Sequence, residues 1–196
     1  MRNLQIKNRY NGSLIFFGYY ASIKDAVLGA LASDASLEDA ELENANLSGA
    51  NLSKINLTGA DLKAVDLSGA DLSGAKLAGA SMQRVKLSDA NLAGADLTGA
   101  DLTEAVMVDA DLTGAILAGA QLCRVSLVRA DLTRADLSGT YLAGSNLKAS
   151  DFTDAKLHGA SLARCDLTSC SLLTDEGEIP EIVGADLTGS KAEAKS

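Results

Sequence analysis

"NLSGANLSKINLTGADLKAVDLSGADLSGA", residues 51–80, decides the fold because an apolar residue returns at every fifth position. We call this apolar position i. It falls on Leu37 and on every fifth residue up to Leu172, an unbroken frame of 28 repeats. All 28 positions are Leu except Met82, Met107 and Phe152. Position i−2 is small, with Ala in 19 of the 28 repeats, and position i−1 is mostly Asp or Asn.

A period of five matches neither the 3.6 residues of a helical turn nor the two-residue alternation of a strand. It is satisfied if each five-residue unit forms one side of a coil and then turns, with positions i and i−2 inside. Four units then make one coil, and the coils stack at the parallel-strand spacing of about 4.8 Å. The frame makes about seven coils, with core ladders that include Leu57, Leu62, Leu67, Leu72, Leu97, Met107 and Phe152.

Units such as "ANLSG", "ADLSG" and "ADLTG" resemble the A-(D/N)-L-x-x repeat of the pentapeptide repeat family. The resemblance covers residues 35–174. It implies an all-β fold, a right-handed quadrilateral parallel β-helix. The square cross-section comes from the resemblance, since the period alone would allow another coil closure.

Glycines offer a test of the four-unit coil. Position i+2 is Gly at every fourth repeat along one side, six times in succession: Gly59, Gly79, Gly99, Gly119, Gly139 and Gly159. The neighbouring side has Arg84, Glu104 and Arg124 at that position. A type II turn needs a positive φ at its third residue, which Gly supplies readily. We therefore predict type II turns along the glycine side and looser turns on some others.

The two ends depart from the frame, and a β-helix needs its exposed ends covered. Residues 1–34 predict a cap made of a β-hairpin around Asn11-Gly12, with a type I′ turn, and an α-helix with Ser22 as N-cap. The aromatic residues of the hairpin offer an alternative use as a contact surface: Phe16, Phe17, Tyr19 and Tyr20. Residues 175–190 predict a loop and a last partial coil, and residues 191–196 a disordered tail.

Composition narrows the function. The formal net charge of −9 argues against direct nucleic-acid binding and against an anionic membrane surface. No secretory signal and no apolar run long enough for a membrane span is evident. Three cysteines fit a reducing, cytoplasmic setting better than a disulfide scaffold.

Catalytic residues are not grouped in the sequence. The single histidine, His158, is at an outward position with no nucleophile in its column. Carboxylates occupy i−1 as an acidic ladder with Asn91 in line, formed by Asp71, Asp111, Asp131 and Asp151. A ladder on a convex rod differs from a carboxylate pair held in a cleft. We expect a protein without enzymatic activity, cofactor or metal.

Three functions remain open. The first is a protein-interaction or scaffold protein with an unidentified partner, favoured by Val106, Val108 and Val128, which replace polar residues on one side of adjacent coils. A small patch like this can also serve local packing. Another is a rigid spacer in a phage-like or larger assembly. The sequence leaves the oligomeric state open, with a monomer favoured.

The second function comes from the resemblance, because some pentapeptide repeat proteins mimic DNA, bind DNA gyrase and protect it from quinolones. The acidic ladder suits that function. Basic residues that interrupt the negative surface weigh against it: Lys54, Arg84, Arg124, Arg129 and Arg134. The tail "KAEAKS" also lacks the apolar helix through which those proteins dimerise.

Overall fold

The computed structural model describes residues 1–171. Strand β1 spans Arg2–Lys7, strand β2 spans Leu14–Tyr20, and helix α1 spans Ile23–Ala32. A coil follows from residue 35 onward. The expected loop, partial coil and tail after residue 174 lie outside the described residues.

The coil closes after every fourth repeat. Parallel bridges join positions four repeats apart on all four sides, beginning with Glu41 to Asp61, Asn46 to Asp66, Asn51 to Asp71 and Asn56 to Lys76. The bridges show the four-sided closure, and the predicted right-handed quadrilateral β-helix, with its hairpin and helix at the N-terminus, is confirmed. We number the sides by their central residues. Face 1 contains Leu62 and Met82, face 2 Leu67 and Met107, face 3 Leu72 and Phe152, and face 4 Leu57 and Leu97.

A typical repeat unit makes three backbone hydrogen bonds between coils and one within its turn. In the unit around Leu62, Asp61 N–H donates to Ala40 O at 2.8 Å, Leu62 N–H to Ser81 O at 2.8 Å, and Ala64 N–H to Gln83 O at 2.9 Å. The turn closes with Val65 N–H donating to Leu62 O at 3.2 Å. Four of the five backbone amides of a unit are thus satisfied by the backbone without long strands.

The interior consists of stacked side chains from positions i and i−2. Every central residue from Leu37 to Leu167 is at most 3% exposed, including the ladder residues predicted above. Polar i−2 residues late in the coil hydrogen-bond to carbonyls: Thr140 Oγ1 donates to Leu137 O and Ser145 Oγ to Leu122 O, both at 2.7 Å. Buried hydroxyls with partners avoid the cost of unsatisfied polar groups.

The turns are more uniform than predicted. Position i+2 has a positive φ at every repeat from Asp39 to Ser169, and non-glycine residues on all faces share it. Since the second turn residue has no positive φ in these repeats, the turns are type II. The expectation of looser turns beside the glycine column is wrong. The intercoil bond from the i+2 amide, such as Glu104 N–H to Cys123 O at 3.0 Å, holds this conformation.

The hairpin and helix cover the first coil. Asn8 forms an antiparallel bridge with Ala40, Arg9 N–H donates to Asp39 O, and Glu41 N–H donates to Lys7 O, both at 2.8 Å. Helix α1 begins after Ser22, whose Oγ accepts the Asp25 N–H at 3.1 Å, and its buried side chains join the core.

The predicted type I′ turn of the hairpin is wrong. Such a turn needs two residues with positive φ, whereas only Gly12, at φ 68°, has one in this loop. The strands are separated instead by the longer segment 8–13, in which Gly12 N–H donates to Asn8 O at 2.9 Å.

Candidate interaction faces

Face 3 carries the acidic ladder. Asp111 bridges Asp131, and Asp131 bridges Asp151, so three carboxylates stand on successive coils. In each, Oδ1 accepts the amide of the residue two places later, for example Thr133 N–H to Asp131 Oδ1 at 2.9 Å. Asp71 makes the same contact with the Ser73 amide at 3.0 Å. One oxygen of each carboxylate is therefore used by the turn, and the second is available to solvent or a partner.

The repeat explains why Asp or Asn occupies position i−1. Within the described coils, the i+1 amide is the one amide of the unit that has no backbone acceptor either between coils or within the turn, and a short side-chain oxygen at i−1 reaches it. Asn91 makes the same bond to Ala93 N–H at 3.0 Å. Asn and Asp thus make the same hydrogen bond to the turn. The negative charge of Asp is not needed for that bond, and it is what distinguishes the Asp sites on face 3.

Face 2 carries the valine patch, defined as Val106, Val108 and Val128. Val106 is 40% exposed, and the other two are half-buried. Their backbone groups are engaged between coils: Leu87 N–H donates to Val106 O at 2.7 Å, and Asp109 N–H donates to Val128 O at 3.0 Å. The patch therefore presents apolar side chains on a fixed backbone.

Ion pairs join successive coils beside these faces. Arg124 Nη2 lies 2.9 Å from Glu104 Oε1, and Arg129 makes a two-pronged contact with Asp109 next to the valine patch. The hydrogen bond from Arg129 lowers the pKa of Asp109. On face 3, Arg134 Nε lies 3.8 Å from Asp154 Oδ2.

Three of the arginines predicted to interrupt the negative surface take part in these ion pairs. Arg124, Arg129 and Arg134 are each paired with an acid one coil away, so each neutralises a particular neighbour. Sequence reasoning missed the pairs, although their signal is present as opposite charges four repeats apart at position i+2.

The side chains of types used in catalysis or metal binding are spread over the coil. His158 is exposed on face 4. Cys165 is buried and its Sγ lies 3.0 Å from Leu142 O, and burial raises the pKa of this thiol. Within residues 1–171, no three His, Cys, Asp or Glu side chains are grouped to hold a metal ion. No helix in that part of the chain has the length and hydropathy of a membrane span.

The glycine column lies on face 4. The space around an added Cβ is open at five of its six members, whereas at Gly59 a Cβ would meet the Asp39 carboxylate. Other residues adopt the same φ elsewhere. Nothing in the structure explains why face 4, after Asp39 in its first turn, carries Gly at the next six.

Comparison with known proteins agrees with this architecture. A sequence model of pentapeptide repeats matches in eight copies, with matched segments that together span residues 29–168. No curated protein matches the chain. A trypsin-treated variant of QnrB1, a plasmid-mediated fluoroquinolone resistance protein, is 24% identical over 78% of this chain and 77% of that one, with a TM-score of 0.63.

Two further solved structures are similar. HetL, a pentapeptide repeat protein involved in heterocyst differentiation regulation in the cyanobacterium Nostoc sp. strain PCC 7120, is 28% identical over 87% of this chain and 94% of that one, with a TM-score of 0.30. A pentapeptide repeat protein from the Arabidopsis thaliana thylakoid lumen is 30% identical over 59% and 72%, with a TM-score of 0.35. With the family model matching well over half of its length, this chain belongs to the pentapeptide repeat family.

Proposed function

We propose that the protein is a non-enzymatic interaction scaffold that binds a protein partner through face 2. The observation that carries the proposal is the valine patch. Val106 takes an i−1 position that is Asp or Asn in 15 of the 28 repeats, so the side-chain bond to the i+1 amide that those residues provide is absent there. Apolar side chains that are exposed together in place of the polar residues of a repeat are typical of an interface.

The setting of the patch suits binding. Val108 and Val128 occupy the same column on successive coils, about 4.8 Å apart at parallel-strand spacing. The Asp109–Arg129 pair lies beside them and provides a polar rim. Because the backbone is held by intercoil bonds, little conformational entropy is lost when a partner docks.

A pull-down with the full chain tests this proposal. Val106→Asp with Val128→Asp places two charges in the patch, and Ile116→Asp is the matched control because Ile116 is 43% exposed on the opposite face. We expect the double variant to lose a specific partner that wild type and the Ile116 variant retain. Retention of every partner by the double variant would refute the role of face 2 and favour a rigid spacer.

A DNA-mimicking protein that binds gyrase is the second candidate, supported by the stacked carboxylates of Asp111, Asp131 and Asp151 on face 3. The intercoil ion pairs weigh against it because they reduce the negative field on the other faces. A gyrase supercoiling assay with and without a quinolone distinguishes the two candidates. No effect of micromolar protein would remove the DNA-mimic function and leave the scaffold proposal intact.

A further inference from the structure

Strand β2 forms an unpaired edge in the part of the chain that the structure describes. It pairs with β1 in a two-stranded sheet, and within residues 1–171 no backbone hydrogen bond joins Leu14–Tyr20 to any segment other than β1. The strand, "LIFFGYY", has no charged residue and no Pro. Natural proteins usually blunt such an edge with charge, Pro or a covering segment.

The side chains of β2 divide between two environments. Ile15, Phe16 and Tyr20 pack against the core. Phe17 and Tyr19 point away from it and are 64% and 73% exposed. Two large rings on the outer side of a free edge strand require an explanation that the cap function does not supply, since the cap is held by the opposite side.

We propose that β2 pairs antiparallel with β2 of a second copy of this chain, so that two hairpins form a continuous four-stranded sheet. Full overlap of the strand with its copy places a two-fold axis at Phe17. The opposed pairs are then Phe17 with Phe17, Ile15 with Tyr19, Phe16 with Gly18, and Leu14 with Tyr20. Aromatic–aromatic and aromatic–aliphatic pairs stabilise neighbouring strands, and an aromatic ring opposite Gly covers the exposed glycine backbone.

Charge opposes a contact between the hairpins less than it opposes a contact along the rods. Residues 1–34 contain four basic residues (Arg2, Lys7, Arg9, Lys24) and two acidic ones (Asp25, Asp34), a balance of +2. The net charge of −9 therefore leaves −11 for residues 35–196. Contact through the hairpins keeps the two acidic rods apart, whereas contact along their length would bring like charges together.

The interface is small. A buried aromatic side chain contributes about 150–250 Å², so the exposed parts of Phe17 and Tyr19 add at most roughly 200–350 Å² per copy, since a neighbouring strand covers only one side of each ring. With the paired backbone, the total is at most on the order of 1,000 Å², the lower limit for a specific interface. We therefore expect a dimer with a dissociation constant in the micromolar range, independent of the function proposed for face 2.

Sedimentation equilibrium of the full chain, over about 1–200 µM to bracket that constant, tests the inference. Wild type is expected to dimerise reversibly. Phe17→Lys places two like charges directly opposite each other at the two-fold axis and is expected to raise the dissociation constant at least about tenfold. Ile116→Lys, the same kind of change at an apolar residue of the coil that is 43% exposed and lies outside the valine patch, is expected to leave it unchanged. Circular dichroism checks that each variant is folded.

A cysteine cross-link tests the register. Directly opposed residues of antiparallel strands have Cα atoms about 4.5–5.5 Å apart, within the range for a disulfide. Phe17→Cys in a Cys123→Ser background is expected to give a covalent dimer on oxidation, and Ile116→Cys in that background is not. A wild type that stays monomeric throughout, as it would if residues 172–196 or another protein's strand covered β2, overturns the inference. So does a dimer that Phe17→Lys leaves intact.

Discussion

The positive φ shared by all four faces leads to a prediction in which one substitution has opposite effects at two sites. Ala149 has φ 58°, is exposed, and keeps its intercoil bond to Thr168 O at 2.9 Å whatever its side chain. A left-handed conformation costs an L-residue about 1–2 kcal/mol, and Gly removes that cost. The greater entropy of Gly in the unfolded chain returns about 0.4–1 kcal/mol. Ala149→Gly should therefore stabilise the protein by about 0.5–1 kcal/mol.

Ala118→Gly is the matched control. Ala118 is the second residue of its turn, where φ is not positive, so the change has only the entropic cost and should destabilise by about 0.5–1 kcal/mol. Gly99→Ala completes the set, because Gly99 has φ 62° and an added Cβ would meet no atom within 4 Å. It should destabilise by about 1 kcal/mol through φ alone.

Urea unfolding followed by circular dichroism measures these differences as shifts in midpoint at a constant slope. The reasoning requires Ala149→Gly and Ala118→Gly to have opposite signs. Equal signs would show that φ at position i+2 does not control the stability of the turn.

Three further changes test the core, the cap and the carboxylates. Leu97→Ala removes a fully buried ladder residue and should cost about 2–5 kcal/mol in urea unfolding, against under about 1 kcal/mol for the exposed Thr98→Ala. Arg9→Ala removes two 2.9 Å hydrogen bonds, to the Gly59 carbonyl and the Ser81 hydroxyl. The protection free energy measured by hydrogen exchange should therefore fall by about 1–3 kcal/mol in residues 1–34 and stay unchanged in the central coils. The pKa of Asp136 is lowered mainly by the hydrogen bond from the Ser138 side chain. The ionised Asp136 therefore contributes its full stabilisation above the unfolded pKa of about 3.9, and this stabilisation is lost as pH falls through the folded pKa. Asp136→Asn should therefore flatten the fall in unfolding free energy below about pH 4, and an unchanged acid limb would contradict this.

The coil was predictable because its signal is repeated 28 times in the sequence. Position i fixes which side chain is buried, and the recurrence of glycine at every fourth repeat indicated where the coil closes. The hairpin turn was not predictable from Asn11-Gly12, because the strands pair in a register that leaves the whole of segment 8–13 between them.

The turns and ion pairs show why local rules were insufficient. Propensity assigns positive φ to Gly, but an intercoil bond from the i+2 amide imposes the same φ on Ala64 and Arg84. The Arg124–Glu104 pair depends on the stacking of positions one coil apart, so it becomes visible only when the sequence is arranged by coil. The partner of the valine patch leaves no such pattern in the sequence, since any complementary apolar surface would fit it.

Site-specific photocrosslinking tests most directly the claim that function is carried by residues that depart from the repeat. A photoreactive phenylalanine analogue at Ser126, which bridges Val106, would lie within the valine patch, and the same analogue at Ala118 on face 4 provides the control. We predict that the partner retained in the pull-down forms a covalent adduct from position 126 and none from position 118. Equal adducts from both positions, or an adduct from position 118 alone, would contradict the assignment of binding to face 2.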